Sequence, residues 1–274
     1  MSWLNDRLSF AVAVAIYGAS TVYSIFLWRK GFRQHDRVNY LLFLAGSVFH
    51  TRAMILRGMS LDHCPVNNFY EAMTFVAWTI VAAYLLLGLF PRWRHLGAFA
   101  APIVFGIGVF ALMPGLDAPH TTQPEFRHGL VSLHAALALL SYGAFGLSAI
   151  AAVMYLTLEH DLKFRKLRAI LSILPPMDRL ERVTIRLLWA GFLLLTLGLA
   201  FIPFLSRERS EGLPPFDPKV PWSGLVWLLY LVLLILHGRS AQSGRRFAWS
   251  AIGAFSFILL TFWGVNLFSP SHKF

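Results

Sequence analysis

The sequence predicts an all-α integral membrane protein, a polytopic bundle of about eight transmembrane helices with both termini outside the cytoplasm. Three observations predict it. Of 274 residues, 57% are hydrophobic and 14% charged, with a mean hydropathy of +0.61; a soluble domain has about 45–50% apolar and about 25% charged residues. Apolar segments long enough to approach or span ~30 Å of hydrocarbon recur along the chain, over roughly 8–28, 40–57, 69–90, 96–113, 132–157, 183–205, 221–238 and 247–268. The connections after the first, third, fifth and seventh of these hold 15 Lys and Arg, the opposite side 7. Basic connections stay in the cytoplasm, so the termini face outward. The spans leave no room for a large soluble unit, and 1–274 reads as a single domain.

The formal net charge is +11. No run of basic residues stands apart from a span, so these are topology charges and no nucleic-acid partner is expected. The one cysteine, Cys64, excludes an intrachain disulfide and C-x-x-C chemistry. No P-loop, G-x-G-x-x-G, G-x-S-x-G or H-E-x-x-H is present.

The first apolar segment follows Arg7 and precedes Arg29-Lys30 with no small-residue cleavage site, so it reads as a span rather than a signal peptide. The second carries His50 and Arg52 and is the most polar. The third opens at Asn68-Phe69-Tyr70-Glu71, where Asn68 suits the N-cap and Glu71 the third helical position of a capping box. Glu71 is either that cap or a functional carboxylate. The fifth begins at Ser132-Leu133-His134 with Ser132 as its N-cap. His134, Ser141, Ser148 and Tyr155 repeat every seven residues on one face, and Gly143 and Gly146 permit close helix approach. The connection 158–182 has room for a short surface helix. The sixth span has Gly191 and Gly198 seven apart and reads as packing only.

The seventh is the most informative. It runs FDPKVPWSGLVWLLYLVLLILH from Phe216 to His237. Pro218 and Pro221 suit a lead-in and first turn. Ser223, Tyr230 and His237 are spaced by seven with Trp227 between the first two, which puts all four on one face. Lipid cannot satisfy such a stripe, so it must face protein or ligand. The eighth ends WGVNLFSPSHKF, placing His272 just outside the membrane on the same side as His134.

The seventh stretch resembles the tryptophan-rich signature of the cytochrome c assembly family, the haem-handling membrane proteins of the CcsA, ResC, HemX and CcmC type. That signature reads W-G-x-x-W-x-W-D-P-K-E before an apolar helix ending in histidine. Asp217, Pro218, Lys219, Trp222, Trp227, Tyr230 and His237 fit it. Phe216 replaces the tryptophan before the aspartate, Val220 replaces the glutamate, and the earlier tryptophans are missing. A second match is DHCPVNNFYEAMTFVAW, similar to the family's G-H-x-P-x-x-N-x-Y-E-like segment before the third span.

The resemblance implies a role in cytochrome c maturation. Haem b, transiently bound, would sit at the outer face between His134 and His272, against an outer segment 207–227 containing Phe216, Asp217, Trp222 and Trp227. Its vinyl groups would be offered to an apocytochrome c C-x-x-C-H. The chain would contribute no catalytic residue of its own and act as a subunit of a haem-attachment complex in a bacterial inner membrane. His134 and His272 are either ligands from the two axial sides of the iron or interfacial histidines satisfied by water and backbone. His237 matches an inner, intramembrane ligand whose partner imidazole comes from a ResB-like protein or, in this chain, from His50; otherwise His50 bonds across the bundle. Arg52, Arg57, Arg207, Arg209 and Lys219 suit haem propionates. His63 and Cys64 form an outer-loop cluster that is a weaker source of ligands. The eroded signature also fits a HemX-like regulator of tetrapyrrole synthesis. A b-type electron carrier or a non-haem small-solute transporter is the reading from another class.

Overall fold

A computed structural model describes residues 2–29, 37–61, 68–117, 129–164, 176–202, 219–239 and 244–268. These hold eight α-helices: α1 (Ser2–Arg29), α2 (Arg37–Leu61), α3 (Phe69–Gly88), α4 (Leu96–Ala111), α5 (Gly129–Phe164), α6 (Met177–Ala200), α7 (Lys219–Gly238) and α8 (Arg245–Phe268). Short 3-10 turns follow α3 and α4, at Pro91–Trp93 and Pro114–Leu116. The chain is a multi-pass helical membrane protein. Five helices (α1, α3, α5, α6 and α7) are long and apolar enough to cross a membrane, and α4 is a shorter apolar helix of 16 residues.

Helix α2 lowers its mean hydropathy with polar residues that point inward. Asn39, His50 and Arg57 are buried, while Leu41, Leu44, Val48, Ile55 and Met59 are exposed. A helix with an apolar outer face and a polar inner face suits the lipid boundary of a bundle.

The helices form two quartets. In the first, α1 packs on α2 and α4, and α3 on α4 and α2; in the second, α5 packs on α6 and α8, and α7 on α6 and α8. The quartets meet where α3 and α4 lie on α5. Gly143 and Gly146 make that seam. A Cβ at Gly143 would collide with Thr79, and one at Gly146 would come within 2.9 Å of Ile80. Among helices in lipid, packing of this kind replaces the hydrophobic effect as the source of association.

Three expectations shift. Helix α5 starts at Gly129 and not at Ser132, so Ser132 lies in the first turn instead of capping it. The same helix continues to Phe164 and α6 begins at Met177, which shortens the connection expected over 158–182. Asn68 is the N-cap of α3, accepting the Glu71 backbone N–H at 2.8 Å, as the sequence suggests. The Glu71 carboxylate, however, is used elsewhere.

It joins a buried ion cluster at the end of the first quartet where α1 and α3 begin and α2 and α4 end. Arg57 Nε donates to Glu71 Oε1 at 2.9 Å, its Nη2 to Asp117 Oδ1 at 2.6 Å and its Nη1 to Asp6 Oδ2 at 3.4 Å. Arg7 reaches Asp117 Oδ2 at 3.3 Å and the Leu112 carbonyl at 2.9 Å. Asn68 Nδ2 donates to Asp117 Oδ1 at 3.0 Å. The Tyr70 ring takes both guanidinium groups, each 5.4 Å from its centroid. Three carboxylates and two arginines thus tie the ends of four helices together.

Candidate functional site

The second quartet carries the histidines of interest at its two ends. At the first end, where α5 and α7 begin and α6 finishes, His134 Nδ1 lies 2.7 Å from the Gly198 carbonyl on α6. A carbonyl only accepts, so Nδ1 must carry the proton. In the neutral ring Nε2 then holds the lone pair, the arrangement found in metal-ligating histidines. The two helices are in ordinary van der Waals contact at this point. A Cβ at Gly198 would lie 3.5 Å from the Ala138 backbone nitrogen. The glycine read as packing alone also supplies the acceptor that orients the ring.

The heptad stripe on α7 faces protein. Leu225, Leu228, Val232 and Ile235 are exposed on one side, while Val226, Tyr230, Leu233 and Leu234 are buried on the other. Trp227 Nε1 donates to Thr196 Oγ1 at 2.9 Å, and its ring lies 5.4 Å from that of Phe192. This tryptophan, expected against a porphyrin, is bonded to α6. Trp222 packs on Phe257 of α8, 5.4 Å between centroids, and its indole faces the buried Tyr142 hydroxyl of α5. Tyr230 stacks on Phe145 at 3.6 Å, with 5° between planes. Its hydroxyl is buried and has no partner among the described residues. A buried hydroxyl without a partner costs about 1–3 kcal/mol. Tyr230→Phe should therefore unfold at a midpoint equal to or above that of the parent in a thermal scan. A lower midpoint would show that the hydroxyl is bonded after all.

At the opposite end, His237 lies against Phe247 of α8, with centroids 4.2 Å apart. Its Nδ1 is 4.0 Å from Glu181 Oε1 on α6.

His50 sits in the first quartet, fully buried. Its Nε2 is 3.0 Å from the Thr74 carbonyl and its Nδ1 3.3 Å from the Tyr17 hydroxyl. The carbonyl fixes the proton on Nε2, and the phenol donates to Nδ1. Both nitrogens are engaged, and the ring bonds across the bundle. The bond across the bundle is one of the two readings expected of His50, and His237 is carried on α7. The two histidines also lie in different quartets. Arg52 donates to Ser9 Oγ at 2.6 Å and Arg57 belongs to the ion cluster, so these two expected propionate partners are already engaged by protein. His272, Phe216, Asp217, His63, Cys64, Arg207 and Arg209 lie outside the described residues, as does the side chain of Lys219. The chain leaves α8 at Phe268. Helix α8 runs antiparallel to α5, since Arg245 approaches Glu159 at 3.9 Å while Phe255 lies beside Gly146. Its last residue is therefore at the His134 end of the bundle.

Residues 66–272 match the family described as Cytochrome C assembly protein. Among curated proteins, the chain is 24% identical over 268 residues to the "Cytochrome c biogenesis protein CcsA" of Gloeobacter violaceus, covering 79% of each chain. It is 26% identical over 271 residues to the protein of that name from Prochlorococcus marinus (strain MIT 9303), covering 89% of this chain and 85% of the relative. It is 25% identical to that of Synechococcus sp. (strain CC9605), covering 83% of each.

Proposed function

Because the chain belongs to the Cytochrome C assembly protein family, we propose that it holds haem b at the outer face of a bacterial inner membrane and presents it to apocytochrome c. The observation that carries this reading is the bond from His134 Nδ1 to the Gly198 carbonyl. It fixes the ring on a rigid helix pair with Nε2 as the free lone pair, the chemistry an axial haem ligand needs. His272 follows Phe268 by four residues, a reach of up to about 14 Å, and would hold the iron together with His134. Phe216, Asp217 and Trp222 belong to the outer segment of the sequence that would meet the porphyrin. When bound, haem supplies the vinyl carbons to which the cytochrome's cysteine thiols add.

The chain's own residues bind, orient and shield. Trp227 and Tyr230 hold α7 against α6 and α5, so the outer segment is carried on a fixed helix. His237 is the inner ligand, and with His50 bonded within the first quartet the opposing imidazole falls to a ResB-like membrane partner. The basic connections 29–39, 91–95, 158–182 and 239–246 face the cytoplasm and both termini face outward. Deleting the gene should abolish covalent haem staining of c-type cytochromes, and the intact chain supplied in trans should restore it. Normal staining with altered tetrapyrrole precursors would favour a regulator of haem synthesis instead.

A further inference from the structure

Helix α6 meets both histidines of the second quartet, at opposite ends. Its Gly198 carbonyl takes the His134 Nδ1 proton, and its Glu181 carboxylate faces His237 Nδ1 at 4.0 Å. Glu181 and Gly198 are 17 residues apart, about 25 Å along a helix, close to the thickness of the hydrocarbon core. We propose that α6 is the orienting helix for both imidazoles, and that Glu181 is the positioning residue that holds His237 with its proton on Nδ1 and Nε2 turned to iron. The inference rests on the reading of His237 as an inner haem ligand.

Glu181 is itself held in place. The oxygen that faces His237 accepts the Gly244 backbone N–H at 3.1 Å. Gly244 stands at the start of α8, where its carbonyl takes the Ala248 N–H at 3.0 Å. The carboxylate thus sits at the positive end of a helix, where negative charge is stabilised. Gly244 has φ +57°, a left-handed conformation, and a Cβ there would approach the Tyr155 hydroxyl to 2.8 Å. Only glycine gives the turn that aims this N–H at Glu181. Phe247, three residues on, covers one face of the imidazole. Helices α5, α6 and α8 therefore all contribute to the setting of one side chain on α7.

A separation of 4.0 Å is spanned by one bridging water or a small rotation of the ring. A carboxylate behind a ligating histidine fixes the tautomer and raises the basicity of the other nitrogen. Its removal lowers metal affinity about 10–100-fold.

The test uses the full chain in nanodiscs with 15N-labelled histidine. Glu181→Gln keeps an oxygen for the Gly244 N–H, so the turn survives. In haem-free protein the His237 nitrogen shifts should report a fixed Nδ1–H tautomer, and the Gln variant should report a mixture. In haem-loaded protein the same variant should lose inner-site affinity about tenfold, by the principle above, and shift its reduction potential upward. A haem-free shift pattern unchanged from the parent would overturn the positioning role. His237→Ala with full inner-site haem would instead overturn the ligand reading, while leaving the tautomer result standing. The two failures are therefore separable.

Discussion

Arg57→Ala should be the most destabilising single substitution outside the helix seams, lowering stability by about 3–5 kcal/mol, the usual cost of stripping one partner from a buried ion pair. The Arg57 side chain is 10% exposed and its partners Asp6, Glu71 and Asp117 are 1%, 0% and 5% exposed. Removing the guanidinium strips the shared cation from three enclosed carboxylates, of which Asp117 keeps the contact to the Arg7 guanidinium. It also removes one of the two cations on the Tyr70 ring. Arg57→Lys should recover only part of the loss, because a point charge cannot fork to three carboxylates as a planar guanidinium does. A shift on the order of 10 °C in the thermal midpoint of detergent-purified protein is expected for the alanine variant. An unchanged midpoint would mean that the cluster contributes nothing net. The damage should be local in origin. The cluster joins α1, α2, α3 and the turn after α4, and Asp117 and Asn68 anchor the bases of two connections at that end of the bundle.

Much of the architecture was legible because membrane spans announce themselves by length and polarity. Each of the eight expected spans falls largely on a helix, and five of those helices are long and apolar enough to cross a membrane. The small residues of the fifth span marked the seam, since Gly143 and Gly146 do seat Thr79 and Ile80. Local chemistry was legible too. Asn68 caps α3 because its side-chain oxygen lies three residues before a first-turn backbone N–H that has no intrahelical acceptor. Non-local pairing was not legible. Nothing in the spacing of Glu71 says that its carboxylate turns to Arg57 on another helix. His50 could be flagged as an ionisable group in a span, but its engagement by Tyr17 and Thr74 depends on how three helices pack. Trp227 was rightly placed on the inward face of α7, yet heptad spacing cannot tell an indole that reaches Thr196 from one that stacks on a ligand. The Gly198 carbonyl had no sequence signal at all, because the group that orients His134 is backbone.

The second large effect concerns haem itself. His134 is the proposed ligand whose other ring nitrogen is fixed by a 2.7 Å bond to a helix that packs on its own, so little ordering would remain to be done on binding. Losing one of the two proposed ligands should weaken haem binding, and losing both should leave only contacts to the outer segment. Helix α6 should stay in place in these variants, since Trp227, Thr196 and the Phe145 ring against Gly191 hold it independently of the imidazole. The most direct measurement is the Soret absorbance per mole of purified full-length chain, for the parent, His134→Ala and His134→Ala/His272→Ala. A clear band in the parent, reduced and shifted in the single variant and mostly gone in the double, is the predicted result. Equal absorbance in all three would contradict the assignment of the outer histidines to iron.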